Sequence, residues 1–92
     1  MKRFVLGRTV QTAGIANACA DLEFLKEVQA AFRRYVNCDW GDTCKEDSNM
    51  NDEAVANGND RIVAKYKTSK GNIFIITEWD RSYTTILFAH EY

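Results

Sequence analysis

Cys38 and Cys44 frame a short stretch that also holds Asp39 and Asp42, and the only histidine, His90, stands two residues from the C-terminal end of the sequence. Zinc accepts thiolate, imidazole and carboxylate in tetrahedral sites, so Cys38, Cys44 and His90, closed by an aspartate, form a candidate zinc set. The five residues between the cysteines exceed the roughly two to four usual between paired zinc cysteines. The plain alternative is two small, partly buried thiols. Ligation would staple the 37–44 loop to the C-terminus and hold Asp39, Trp40 and Asp42 in one geometry.

Other reactive types are thinner. Glu78, Asp80 and Glu91 lie near expected strand ends, and paired carboxylates can move protons. Arg81 stands beside them and offers simple ion pairing instead. His90 has no serine or cysteine presented to it as a nucleophile, and no glycine-rich phosphate loop is written in the chain. The residues therefore point to a protein that is not an enzyme.

The strongest signal is charge. Residues 39–58 carry Asp39, Asp42, Glu46, Asp47, Asp52 and Glu53 against the single cation Lys45, while residues 1–38 lean basic. Such a segment suits a basic partner surface. Trp40, set in a loop, is either a plug for the core or an exposed anchor, the kind of residue enriched at interfaces. The candidate partner-binding set is thus Asp39, Trp40, Asp42, Glu46, Asp47, Asp52 and Glu53.

The elements that must position these residues follow from periodicity. Residues 3–10 alternate in part and read as a first strand, with Phe4 and Leu6 on one side and Arg3, Val5 and Gly7 on the other. Thr12 can cap a short helical turn over 13–20. From Asp21, Leu22, Leu25, Val28, Phe32, Tyr35 and Val36 recur at helical spacing and predict a long amphipathic helix. A second helix is expected from Asp42 or Thr43 to Asn57, ended by Gly58. Its apolar face (Cys44, Met50, Ala54, Val55) is thin, so it reads as a surface helix. Arg61–Thr68, Asn72–Trp79 and Tyr83–Ala89 are rich in β-branched and aromatic residues and joined by short polar links, which predicts a meander. The expected fold is α+β: a three- or four-stranded antiparallel sheet with the long helix on one face and a shorter acidic surface helix. Residues 73–76 are apolar towards both faces, so the second face needs a cover or a partner, and a homodimer is open.

Composition bounds the class. Ninety-two residues with 46% apolar content make one domain spanning 1–92, with nearly every large apolar side chain needed inside. No apolar run nears the roughly 20 residues of a membrane span, and three cysteines without a secretion signal fit reduced thiols in a cytoplasm. A net charge of −1 argues against general nucleic-acid binding, which rests on phosphate neutralisation.

Asp39-Trp40-Gly41-Asp42, Glu46-Asp47, Asn51-Asp52-Glu53-Ala54, Gly58 and Arg61 lead into Ile75-Ile76-Thr77-Glu78, Asp80-Arg81-Ser82, Thr84-Thr85-Ile86-Leu87 and Glu91-Tyr92. In these motifs the chain resembles a family of roughly hundred-residue proteins common on plasmids, conjugative elements and phages. Members are often labelled type I restriction modification subunits, but an amino-methyltransferase needs a loop with adjacent prolines, and this chain has no proline. The family usually has glycine where Cys38 stands. The resemblance implies a mobile-element counter-defence protein of the anti-CRISPR kind, binding a guided nuclease in the host cytoplasm. The alternative is a plasmid or phage maintenance factor that holds nucleic acid through Arg33, Arg34, Lys65, Lys67 and Lys70.

Overall fold

In the computed structural model, residues 4–92 are described; Met1–Arg3, including the Arg3 end of the expected first strand, lie outside the described residues. Gly7 adopts a left-handed conformation (φ 66°) against the carbonyls of Arg81 and Ser82, where any Cβ would collide. Extended pairing therefore starts only after it. β1 is Arg8–Gln11, later and shorter than the alternation predicts, and Leu6 is buried while Phe4 packs on the core ahead of the strand.

Thr12 caps α1 (Ala13–Ala18) by accepting from the Ile15 N–H at 3.2 Å, and Asp21 caps α2 (Leu22–Val36) by accepting from Glu23 at 3.0 Å. α3 spans Lys45–Asn57 and ends on Gly58 in the left-handed conformation. β2 (Ile62–Thr68), β3 (Gly71–Thr77) and β4 (Tyr83–Phe88) follow, then a 3₁₀ turn at Ala89–Glu91.

The sheet has four strands in the order β1-β4-β3-β2, and it is mixed, not purely antiparallel. β2–β3 and β3–β4 are antiparallel, whereas β1 pairs with β4 in parallel, Thr9 opposite Thr84 and Gln11 opposite Ile86. Chain direction explains it. The helical connection carries the chain back so that β2 runs the same way as β1, and the meander then reverses it twice, so β4 also runs as β1 does.

Ile62, Ala64 and Tyr66, Ile73, Ile75 and Thr77, and Thr84, Ile86 and Phe88 share the face beneath α2. The face α2 buries is Phe24, Val28, Ala31 and Tyr35, rotated from the expected stripe, and Leu22 is 69% exposed. Phe24 stacks on Phe88 with centroids 5.6 Å apart. At the other end of α2 a polar chain crosses the core. Thr84 donates to the Leu6 carbonyl at 2.7 Å, so its oxygen accepts from Thr77 (2.7 Å), and Thr77 in turn accepts from the Tyr35 phenol (2.7 Å). Each hydroxyl has one proton, and one direction satisfies all three. On the opposite face Ile76 and Leu87 are buried, and Tyr92 folds back onto Phe74, centroids 5.2 Å apart. The C-terminal residue thus supplies part of the cover that the sequence demands for this second face.

Candidate interaction surface

The acidic segment begins where α2 ends. The Cys38 N–H donates to the Tyr35 carbonyl at 3.0 Å and the Asp39 N–H to Arg34 at 2.9 Å, the paired bonds of a Schellman ending. Cys38 occupies its left-handed position, φ 62°, where glycine is favoured because it has no Cβ to strain. Asp39 then folds back onto Arg34, accepting from Nε at 2.9 Å and Nη2 at 3.2 Å, and also accepts from the Gly41 N–H. The Arg34 guanidinium foremost, and then the Gly41 amide, hold the Asp39 carboxyl below the usual range.

Trp40 is a core residue, not an exposed anchor. It is 6% exposed, sits edge-on to Tyr35 with centroids 5.6 Å apart, and packs against Phe4. Its indole N–H must find a partner when buried, and it donates to Asp52 Oδ1 at 2.9 Å. Asp52 therefore ties α3 to the loop.

The rest of the segment seals the outer edge of β2. Lys65, in the middle of that edge, donates its N–H to Thr43 Oγ1 at 2.9 Å and accepts at its carbonyl from the Asp42 N–H at 2.8 Å. The Lys67 N–H donates to Asp42 Oδ2 at 3.1 Å. Val63 is matched by the Asn51 amide: Nδ2 donates to the Val63 carbonyl at 2.8 Å, and Oδ1 accepts from its N–H at 3.2 Å. Asn51 is 4% exposed and copies, with one side chain, the donor and acceptor that a neighbouring strand would offer. An exposed edge strand is a template for unwanted pairing, and here Asp42, Thr43 and Asn51 close it. Asn51 reads in the sequence only as part of a quoted motif; its inward place, three residues before Ala54 on a helix with almost no apolar face, is the signal that could have found it.

Only part of the expected partner-binding set is thus available. Asp39, Trp40, Asp42 and Asp52 serve the fold. Glu46, Asp47 and Glu53 stand exposed on α3 with no ion pair or hydrogen bond to their side chains among the described residues. Met50, 60% exposed, lies beside Asp47 in a groove of about 330 Å³ shared with Arg61 and Tyr92. The C-terminal end of α3 is held by Arg81, whose Nη2 donates to the Ala54 carbonyl at 2.9 Å and whose Nη1 reaches the Glu78 carbonyl at 3.2 Å. Arg81 therefore binds carbonyls instead of pairing with the Glu78 or Asp80 side chains. Asp80 accepts from Ser82 in its own turn, and Glu91 accepts from the Phe88 N–H and the Thr12 hydroxyl, bonds that lower both carboxyls.

The expected zinc ligands are not brought together. Among the described residues no three His, Cys, Asp or Glu side chains are grouped to hold a metal ion. Cys38 follows the C-terminal end of α2 and Cys44 precedes α3, whereas His90 stacks on Phe88, which lies against Phe24 near the start of α2. The helix residues from Phe24 to Val36 alone separate those ends by roughly 18 Å at 1.5 Å per residue.

The cations of the nucleic-acid alternative are dispersed. Arg34 is taken by Asp39, Lys70 pairs with Asp21 at 3.3 Å, and Arg33 stands exposed on α2. Lys65 and Lys67 alternate with Ala64 and Tyr66, so they point from the sheet face away from α2.

Set against family models, curated proteins and solved structures, the chain finds no match. No helix among the described residues is long and apolar enough to cross a membrane.

Proposed function

We propose that this chain acts by occupancy: α3 presents the exposed carboxylates of Glu46 and Glu53 on its outer face, and of Asp47 beside the groove with Arg61 and Tyr92, to a basic surface of a protein partner. In the setting that the resemblance implies, the partner is a guided nuclease, and the protein is an anti-CRISPR-type inhibitor that blocks DNA loading or cleavage. The observation that supports this reading is the division of labour within the acidic segment. Asp39 and Asp42 are engaged by Arg34 and by the β2 edge, Asp52, Asn51 and Arg81 fix α3 to the Trp40 loop, to β2 and to the β3–β4 turn, and Glu46, Asp47 and Glu53 are left exposed and unpaired among the described residues. A charged surface held in place before contact loses little freedom on binding, and complementary charge speeds encounter with a basic channel.

Cleavage assays with guide-loaded nucleases of several classes test it. An equimolar amount of the protein is expected to stop cutting by one of them and to co-elute with that nuclease on a sizing column. Undiminished cutting throughout, with no complex, refutes the reading. Salt-dependent binding of the protein to bare nucleic acid would favour the maintenance role instead.

A further inference from the structure

The two edges of the sheet are treated differently. The β2 edge is closed by Asp42, Thr43 and Asn51, while among the described residues nothing pairs with the outer edge of β1. The Arg8 N–H donates to the Ser82 carbonyl and the Thr12 N–H to Ile86, so this side of β1 faces β4. Backbone groups alternate between the two edges of a strand, so Thr9 and Gln11 direct their N–H and C=O outward. Beneath that edge runs a groove of about 460 Å³ between β1 and α2. Its floor and far wall are Leu25, Val28, Phe32 and Ile86, and among the described residues Arg33 is the only charged one lining it. Arg33 has no ion pair or side-chain hydrogen bond among the described residues.

We propose that this edge and groove form a docking site for an extended polypeptide segment of a partner protein, one that carries an apolar side chain and, two residues further on, a carboxylate on the same face of the strand. Three features select that chemistry. The outward groups of Thr9 and Gln11 match the backbone of an added strand, which supplies affinity, and alternate side chains of the added strand point into the groove, which supplies specificity. The Leu25–Phe32 wall takes the apolar side chain, and Arg33 takes the carboxylate. A second copy of this chain fits poorly, because β1, reading Arg-Thr-Val-Gln, carries no carboxylate to offer Arg33. The site lies at the sheet edge opposite α3 and does not rest on the α3 reading.

The probe is an amidated, fluorescein-labelled heptapeptide, Val-Thr-Val-Thr-Leu-Thr-Glu, whose valines, leucine and glutamate share one face of the strand. The controls are the same peptide with lysine for glutamate and one N-methylated at alternate amides. Fluorescence anisotropy and amide chemical shifts are read on the intact protein. The acidic peptide is expected to bind and to shift Thr9, Gln11 and the 25–33 stretch of α2, and both controls to bind less well. Arg33→Glu should reverse the preference between the glutamate and lysine peptides. Thr9→Pro removes an outward N–H without touching the β4 ladder, which an edge strand tolerates. It should retain the melting temperature and weaken binding at least about tenfold. The proposal is overturned if the acidic peptide does not bind at millimolar concentration, or if shifts fall outside β1 and α2. It is likewise overturned if Thr9→Pro binds as the parent does, or if the protein alone dimerises through β1 and Thr9→Pro makes it monomeric.

Discussion

Replacing Asn51 by alanine isolates the device that closes the β2 edge. The change removes both bonds to Val63, at 2.8 and 3.2 Å, each worth about 1 kcal/mol net. It also leaves a backbone donor and acceptor facing a site where Asn51 itself is buried, which adds to the cost when water cannot replace the lost partners. A total of about 2–3 kcal/mol is expected. For 92 residues the whole folding free energy is about 5–14 kcal/mol, so the loss is large. It corresponds to a fall of roughly 10–20 °C in melting temperature for a domain of this size. Calorimetry measures the loss, and hydrogen exchange locates it, with the Val63 amide exchanging faster than amides of β3. Asn51→Asp sharpens the assignment. Its carboxylate still accepts from the Val63 N–H but meets the Val63 carbonyl without a proton to donate, so the folded state holds that carboxyl's pKa up. The variant's deficit relative to the parent should therefore shrink as pH falls and the carboxyl is protonated. A loss below about 0.5 kcal/mol for Asn51→Ala, the range of ordinary surface changes, refutes the edge-closing role.

Cys38→Gly relieves a left-handed residue at the end of α2 and should stabilise by about 1 kcal/mol, the strain of about 1–2 kcal/mol less the packing of a half-buried thiol; an unchanged or lower melting temperature contradicts it. The carboxyls of Asp39, Asp21, Asp80 and Glu91 are all lowered in the folded state. Depressed acids stabilise above their unfolded pKa and lose that contribution as pH falls through the folded value. Stability should therefore drop below about pH 4, and Asp39→Asn should flatten that drop; a parent protein equally stable at pH 2 and pH 6 would show that these bonds do not support the fold.

Much of the fold was legible because periodicity and turn chemistry agreed. α2, the three C-terminal strands and the Gly58 ending follow from apolar spacing and from one residue free to turn left-handed. The parallel pairing of β1 was not legible: three helices separate it from β2, and alternation within residues 3–10 cannot show which strand they join or in which direction. The same alternation hid Gly7, whose contact with Arg81 and Ser82 delays the strand. The site was less legible. Acidic residues look alike in sequence, yet Asp42 binds a sheet edge, Asp52 holds an indole and Asp39 holds an arginine, while Glu46, Asp47 and Glu53 do none of these. Which carboxylates remain available is fixed by tertiary contacts. The expected zinc ligands were not brought together for a related reason: Cys38 follows one end of α2, while His90 stacks near the other.

The most direct test of the occupancy account is the inhibitory titration of a nuclease that the parent protein stops, repeated with Glu46→Gln, Asp47→Asn and Glu53→Gln combined. Among the described residues these exposed side chains make no ion pair or hydrogen bond, and the loss of two first-turn acids costs a helix little, so the melting temperature should hold within a few degrees of the parent's. Inhibition should weaken by about tenfold or more, three charge contacts at about 0.5 kcal/mol each, with the parent's own potency falling as salt rises. A triple variant that inhibits as strongly as the parent, at low salt and at high, contradicts the account.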